Sequence, residues 1–363
     1  MTGDETLPTV KLSFREDNPV IDDLVQRLMV QAGVNRRPDI VRQMIIATLK
    51  AGQEATSDAD LKLMNTTLKE MRFTAKAFAP YRHRRKVTVF GSARTRPDEP
   101  LFQMASAFGL ALAEAGFMVI TGGGGGIMQA ANEGAGVENS FGVNIQLPFE
   151  QQPNPVVAQN PRLINYKYFF NRKVAFIKEA DAVALFPGGF GTLDEAMEVL
   201  TLLQTGKRYP IPLLLLDVPG GSYWQDVIRF FRQELLAKGY IGDNDLGLMT
   251  IEHDVEQATR RIAAFYRNYH SMRYFDGLLA LRLRMAPDAS GLHELQTRFT
   301  DLLRPGGSIR LGGPEYSRRD DPGCQHLQLL LLEHDQCNFV GLGALIEALN
   351  GLAGTGGDPA WQG

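Results

Sequence analysis

Nine consecutive residues, Pro187-Gly-Gly-Phe-Gly-Thr-Leu-Asp-Glu195, combine what is needed to hold an anion and to act beside it. An apolar run, Ala182-Val-Ala-Leu-Phe186, precedes them and an amphipathic stretch from Leu193 to Leu203 follows, which predicts a strand, a glycine turn and a helix start. Glycines let bare backbone N–H groups approach a ligand, and a helix N-terminus adds partial positive charge, so the turn suits a phosphate. Glu195 is expected in the first helical turn, where the dipole keeps a carboxylate ionised. A phosphate cradle with an acid at its side points to chemistry on a phosphorylated small molecule.

Helical angles place the neighbouring groups. At about 100° per residue, Leu193, Ala196, Met197, Leu200 and Leu203 form a stripe expected to face a sheet, with Glu195 on the opposite side. Val199 and Leu202 share the side of Glu195, so that face is expected to be covered too. In the helix predicted from Tyr168, Phe170, Val174 and Ile177 make the expected core stripe, while Arg172 points away between Phe169 and Phe176. A second apolar edge beside a charge on both helices predicts a site at a covered surface, and hence a homodimer or higher assembly.

Two further glycine loops follow predicted strands: Gly91-Ser92-Ala93, and Thr121-Gly-Gly-Gly-Gly-Gly126. The second tempts a dinucleotide reading, but Ile127 or Met128 stands where the third glycine of the fingerprint belongs, and no acid ends the next strand to hold a ribose. Five adjacent glycines would cost much ordering entropy unless the backbone must approach something closely, which favours a mononucleotide or sugar phosphate.

The elements that must position these loops alternate along residues 86–268. Strands are expected at Lys86–Phe90, Phe117–Thr121, Phe141–Leu147, Ala182–Phe186, Ile211–Asp217 and Gly247–Ile251. Helices are expected at Leu101–Ala115, Ile127–Gly134, Tyr168–Glu179, Leu193–Gln204 and Tyr223–Lys238. This is the pattern of an α/β, Rossmann-like, doubly wound parallel sheet, with all three glycine loops at the carboxyl ends of strands, where such sheets bind ligands.

The flanks carry no catalytic cluster. Residues 1–18 read as a disordered tail and 19–85 as a helical appendage, with stripes Ile21, Leu24, Val25, Leu28, Met29 and Ile40, Met44, Ile45, Leu49, and a third helix from Asp58 past Met71. The parallel sheet is assigned to 86–270. Residues 271–350 read as a small α+β module, with strands at Leu278–Leu283, Ser308–Leu311 and His326–Leu332 and helices at Leu292–Leu303 and Phe339–Leu349. The segment 351–363 reads as a flexible tail.

Composition bounds the rest. The 363 residues are 44% hydrophobic and 22% charged, which is ordinary for a globular protein, and the net charge of −3 gives no reason to expect nucleic acid. Arg82-His-Arg-Arg-Lys86 reads as a solvated junction. Cys324 and Cys337 make no disulfide framework, and with His326 and His334 they match no metal spacing, so no metal and no cofactor are expected. The longest apolar run, near Ile211–Leu216, is too short to span a bilayer, and a reducing cytoplasm is the expected compartment.

Pro187–Glu195, with Arg172-Lys173 ahead of it, resembles the signature of the LOG family, phosphoribohydrolases long mislabelled as lysine decarboxylases. Ile127-Met128, Asn132-Glu-Gly-Ala135 and Gly91-Ser92-Ala93 are similar as well, over roughly residues 86–268, and the long flanks look like those of a larger bacterial form. The resemblance implies hydrolysis of the N-glycosidic bond of a purine nucleoside 5′-monophosphate, AMP or a cytokinin riboside monophosphate, giving free base and ribose 5-phosphate. Glu195 would hold the ribose hydroxyls or orient water, and Arg172 would meet the phosphate or position Glu195, with Lys173 adding charge. Gly188, Gly189, Gly191 and Thr192 would cradle the 5′-phosphate, with Phe190, Leu193 and Asp194 beside them. Ser92, Gly123, Gly124 and Gly125 complete the implied contacts, joined by Glu150 and, more weakly, Thr201. A lysine decarboxylase would need a Schiff-base lysine for pyridoxal phosphate, and none is placed against the glycine loop. The other function that fits is a nucleotide-binding carrier or sensor without turnover.

Overall fold

The computed structural model describes residues 19–54, 56–147, 152–318 and 320–352. The expected tail 1–18, most of the expected tail 351–363, and Glu150 lie outside them. The chain divides into two compact units, Met1–Glu70 and Met71–Gly363.

The first unit holds α1 (Pro19–Gln31), α2 (Pro38–Gln53) and the opening turns of α3 (Asp58–Phe78). Proline at the first position of α2 suits a helix start, because that N–H has no helical acceptor. Val25, Met29 and Ile46 are buried, and Asp22 is buried against Arg42. The expected stripes are thus narrower than read: Leu24, Leu28, Ile40, Met44 and Leu49 are exposed.

The second unit takes up the end of α3 and then alternates strand and helix. Its first elements are β1 (Lys86–Phe90), α4 (Pro100–Glu114), β2 (Met118–Thr121), α5 (Ile127–Ala135), β3 (Ser140–Ile145) and β4 (Leu163–Tyr166). There follow α6 (Phe169–Glu179), β5 (Ala182–Leu185), α7 (Phe190–Gln204), β6 (Leu213–Leu216), α8 (Tyr223–Phe230), β7 (Thr250–Glu252) and α9 (Val255–Phe265). The seven strands form one parallel sheet in the order β4-β3-β2-β1-β5-β6-β7, confirming a Rossmann-like α/β fold. β1, β2, β5 and β6 are buried along their whole length, as strands covered by helices on both faces must be. One apolar cluster, including Ile120, Leu185 and Val199, fills one side of the sheet; Val89, Phe108 and Ile127 belong to the cluster on the other.

Strand order decides where a ligand fits. From β1 the chain builds outward to β4 on one side, then returns to β5 beside β1 and builds outward to β7 on the other. The crossovers diverge at the β1/β5 seam, where Phe90 pairs with Leu185, and a crevice opens past the carboxyl ends of those two strands.

The remainder is a second, antiparallel sheet. It comprises β8 (Tyr269–Phe275), β9 (Leu278–Leu283), α10 (Ala289–Arg298), β10 (Ile309–Leu311), α11 (Pro314–Arg318), β11 (Gln328–Leu332) and α12 (Gly341–Leu352), in strand order β10-β11-β9-β8. Asp288 caps α10 by accepting from the Gly291 N–H at 2.8 Å. A core including Leu281, Phe299, Leu330 and Leu345 lies under this sheet. Two strands, β4 and β8, and the helices α9 and α11 were absent from the expected elements. Among the described residues no helix is long and apolar enough to cross a membrane, and no group of three or more His, Cys, Asp or Glu could hold a metal.

Candidate active site

A cavity of about 740 Å³ opens at the β1/β5 seam. It is walled by the loops after β1 (Gly91–Arg94), β2 (Gly122 and Gly124) and β5 (Gly188 and Gly189) with the first turn of α7, and by Asn144 and Ile145 at the end of β3 and Leu147 just beyond it. The walls hold each other in place. Ser92 N–H donates to the Pro187 carbonyl at 3.1 Å, and Ile127 N–H donates to the Ser92 carbonyl at 3.0 Å. Tyr223 Oη donates to the Gly188 carbonyl at 2.7 Å. Gly188 must be glycine, since a Cβ there would lie 2.2 Å from Thr192 Oγ1 and 2.9 Å from the Ser92 nitrogen. Gly189 and Gly191 meet nothing within 4 Å at the Cβ position, leaving the backbone open.

The second glycine loop is pinned from behind. Asn154, buried, gives its backbone N–H to the Gly123 carbonyl at 2.7 Å and its side-chain Nδ2 to the Gly124 carbonyl at 3.0 Å. Asn132 Oδ1 accepts from Thr121 Oγ1 at 2.7 Å, and Thr121 Oγ1 in turn accepts from the Gly123 N–H at 3.0 Å. Gly123 has φ +71, a conformation that glycine adopts without strain.

Glu195 and Arg172 both line the cavity, and both keep a buried polar atom without a hydrogen-bond partner among the described residues: Glu195 Oε2 and Arg172 Nε. Buried polar atoms in native proteins are nearly always paired, so two orphans on one cavity mark a place for a ligand or for chemistry. Lys173 Nζ lies 3.5 Å from Glu195 Oε1, 2.7 Å from Asp194 Oδ2 and 2.8 Å from Glu198 Oε2. Burial pushes the Glu195 carboxyl up from 4.5 to about 7, against the pull of Lys173 and Arg172 and with the help of Glu198 and Asp194. Burial likewise lowers Arg172, whose guanidinium carbon sits 5.0 Å from the Phe169 ring centre and 5.4 Å from that of Phe176. Burial alone would lower Lys173 too, but its hydrogen bonds to Asp194 and Glu198 and the charge of Glu195 hold it above its ordinary value.

Three expectations are corrected here. First, α7 begins at Phe190 with Gly189 as its cap, so Glu195 lies in the second turn, where burial raises its pKa against the pull of Lys173 and Arg172. Second, Glu195 is on the buried face: Thr192, Glu195, Ala196, Val199 and Leu203 share an arc of about 100°, while Met197 is exposed. Third, α6 buries Asn171, Ala175, Phe176 and Ile177, and leaves Phe170 and Val174 exposed.

Of the residues singled out from sequence, Ser92, Gly124, Arg172, Gly188, Gly189, Phe190, Gly191, Thr192, Leu193 and Glu195 share the cavity. Lys173 and Asp194 lie beside it as an ion pair. Gly123 and Gly125 do not line it. Thr201 is a turn and a half further along α7, exposed, with its hydroxyl bonded to the Met197 carbonyl. The sequence reading missed Met128, Asn144, Ile145 and Leu147, which form an apolar wall with one amide; the ends of β2 and β3 were the signal that could have found them.

A parallel sheet whose glycine-lined crevice holds a buried carboxylate and two cations defines the chain as a Rossmann-like α/β protein with a ligand cleft at its switch point. Comparison with known proteins adds a family. Residues 115–262 match the family model described as "Possible lysine decarboxylase". Cytokinin riboside 5'-monophosphate phosphoribohydrolase LOG7 of Arabidopsis thaliana is 28% identical over 95 residues, covering 26% of this chain and 42% of that protein. The cytokinin riboside 5'-monophosphate phosphoribohydrolase of Mycobacterium marinum is 27% identical over 192 residues, covering 52% of this chain and 98% of that protein. The chain thus spans under half the length of the plant relative and nearly all of the bacterial one, and its similarity to both is of low identity. Among solved structures, the molybdenum cofactor binding protein from Rippkaea orientalis is 20% identical, with a TM-score of 0.34 over 50% of this chain and 96% of that one.

Proposed function

We propose that the chain hydrolyses the N-glycosidic bond of a purine nucleoside 5′-monophosphate, AMP or a cytokinin riboside monophosphate, to free base and ribose 5-phosphate. The glycine turn Gly188–Gly191 with Thr192 holds the 5′-phosphate, and Ser92 and Gly124 close over it from the neighbouring loops. The base lies against Met128, Ile145 and Leu147. As the bond from C1′ to the base nitrogen breaks, its electron pair leaves with the base, which takes a proton from water, and positive charge builds on the ribose. A buried carboxylate beside that charge stabilises the transition state most in its ionised form. Water then adds to C1′ and loses its proton, with Glu195 orienting it or holding the ribose hydroxyls. Arg172 supplies a fixed charge to the phosphate, and Lys173 steadies Glu195. The observation that carries this reading is the unpartnered Glu195 Oε2, a buried carboxylate oxygen with no hydrogen-bond partner among the described residues.

Chromatography of pure protein incubated with AMP is expected to show adenine and ribose 5-phosphate in equal amounts. Tight nucleotide binding with no base released from AMP or any other nucleotide would sink the reading in favour of a carrier.

A second copy of the chain is the proposed partner. Phe169, Phe170 and Val174 of α6 and Phe190 and Met197 of α7 are all exposed, Phe190 by 93%, and Phe169 and Phe190 also form the cavity rim. A partner copy there would cover the apolar face and complete the wall of the cleft. The unpaired Cys324 and Cys337 fit a reducing, cytoplasmic setting.

A further inference from the structure

We infer that the chain carries a second ligand site, at the opposite rim of the parallel sheet, that takes a ring-bearing phosphate ester and is linked to the glycine cleft through α7. The cavity there measures about 880 Å³, within the size range of small-molecule sites. Its inner wall is Pro210–Leu214, which leads into β6 and so marks the amino ends of the strands, together with the last turn of α9. Its outer wall belongs to the antiparallel module: Arg298 and Phe299 after α10, the loop around Phe339, and Glu347 of α12.

Four arginines line this cavity, and two of them have no carboxylate partner among the described residues. Arg261 pairs with Glu252 at 2.7 Å, and Arg260 lies 3.9 Å from Glu256. Arg267 donates to the Asn350 carbonyl, and Arg298 lies over the Phe299 ring at 5.1 Å. Neither has a carboxylate partner among the described residues. Two unneutralised guanidinium forks suit a phosphate dianion, which accepts several N–H bonds at once. Phe265, Phe299 and Phe339 offer apolar surface to a ring. The remaining acids, Asp301 and Glu347, suit hydroxyl or amine donors of the same ligand; Asp301 already accepts from Asn338 Nδ2 at 3.2 Å.

The link runs through one contact. Leu203 at the end of α7 lines this cavity, while Thr192 and Glu195 of the same helix line the cleft. Just beyond the helix, Gly206 has φ +68, and a Cβ there would lie 2.4 Å from the Phe339 ring. The loop around Phe339, which lines this cavity, is therefore seated on the end of the helix that carries Glu195.

Phenyl phosphate, observed by saturation-transfer NMR with the full chain, tests the site. Excess ribose 5-phosphate keeps the glycine cradle occupied. Wild type is expected to bind phenyl phosphate, and Arg267→Gln/Arg298→Gln, checked for native circular dichroism, to bind it about ten-fold more weakly for loss of two charged hydrogen-bond donors. Equal affinity in that folded variant overturns the site, and benzoate binding as tightly as phenyl phosphate overturns the phosphate assignment. The ribose 5-phosphate block and the kinetic readout of the link rest on the proposed function: phenyl phosphate is expected to change kcat or KM for AMP by about two-fold or more in wild type, the low end of common allosteric couplings, and not in the variant. Unchanged kinetics at saturating phenyl phosphate overturns the link and leaves the site standing. If AMP is not turned over, the link is read from amide hydrogen exchange, expected to slow in α7 on binding; unchanged exchange overturns it.

Discussion

A carboxyl group held near neutrality by burial gives Glu195 two measurable consequences. Since the ionised form is the one proposed to act, kcat/KM for AMP should rise with pH along a limb centred near 7, set by burial against the charges of Lys173 and Arg172. Lys173→Met removes the nearer cation and should move that limb to higher pH; a limb that stays in place would detach Lys173 from the titration. Stability has the opposite sense. The folded chain holds this proton more tightly than the unfolded chain, so the contribution of Glu195 to stability falls as pH rises from 4.5 towards 7. Glu195→Gln should accordingly lose about two to four orders of magnitude in kcat while keeping nucleotide affinity, and should melt higher than wild type at pH 8. Residual turnover equal to wild type would remove Glu195 from the mechanism.

At the scale of elements, glycine sets how closely neighbours approach. A Cβ on Gly134 of α5 would lie 1.8 Å from the Ser106 carbonyl oxygen of α4, and one on Gly109 of α4 would lie 2.2 Å from the Ala131 carbonyl oxygen of α5. Gly134→Ala should therefore destabilise the chain by about 1–3 kcal/mol or more through overpacking, read as a fall in the urea midpoint. Because α5 starts from the glycine loop, substrate affinity should weaken with it; an unchanged midpoint would show that the helices can separate freely. The central strands were legible from sequence because burial on both faces makes them continuous apolar runs. The edge strand β4 alternates burial, and β8 is rich in polar side chains, so neither shows that run. The facing of α7 was misread for a related cause. Leu193, Leu200 and Leu202 pack partly against the core beside the buried Val199 and Leu203, so apolar residues surround the helix and periodicity cannot choose the side. The turn motif itself was read correctly, since it depends on local backbone needs.

For the whole molecule, the exposed Phe169, Phe170, Val174 and Met197 predict self-association. Light scattering at micromolar concentration should give at least a dimer, and Val174→Asp/Met197→Asp should shift it towards monomer, because an unpaired charge resists burial in an apolar interface. A wild-type monomer would refute the assembly. Which elements share a sheet could be inferred from strand and helix alternation, but the cavity beside Arg267 and Arg298 could not. It forms between segments remote in sequence, and neither carries a motif.

Lys86 at the head of β1 donates its amide N–H to Asp181, 95 residues later, on the threshold of β5. The two strands whose carboxyl ends flank the cleft are thus tied at their opposite, amino ends, across the longest stretch of polypeptide that any neighbouring pair in the parallel sheet must bring round. Chain closure over such a span is slow, because its entropy is lost before contacts repay it. On a ribosome, the half of the sheet from β1 to β4 can assemble while β5 is still unmade, leaving the β1 flank bare. The pocket therefore cannot form until β5 has been made and brought back beside β1, and a chain ending before Asp181 would lack one wall of the cleft.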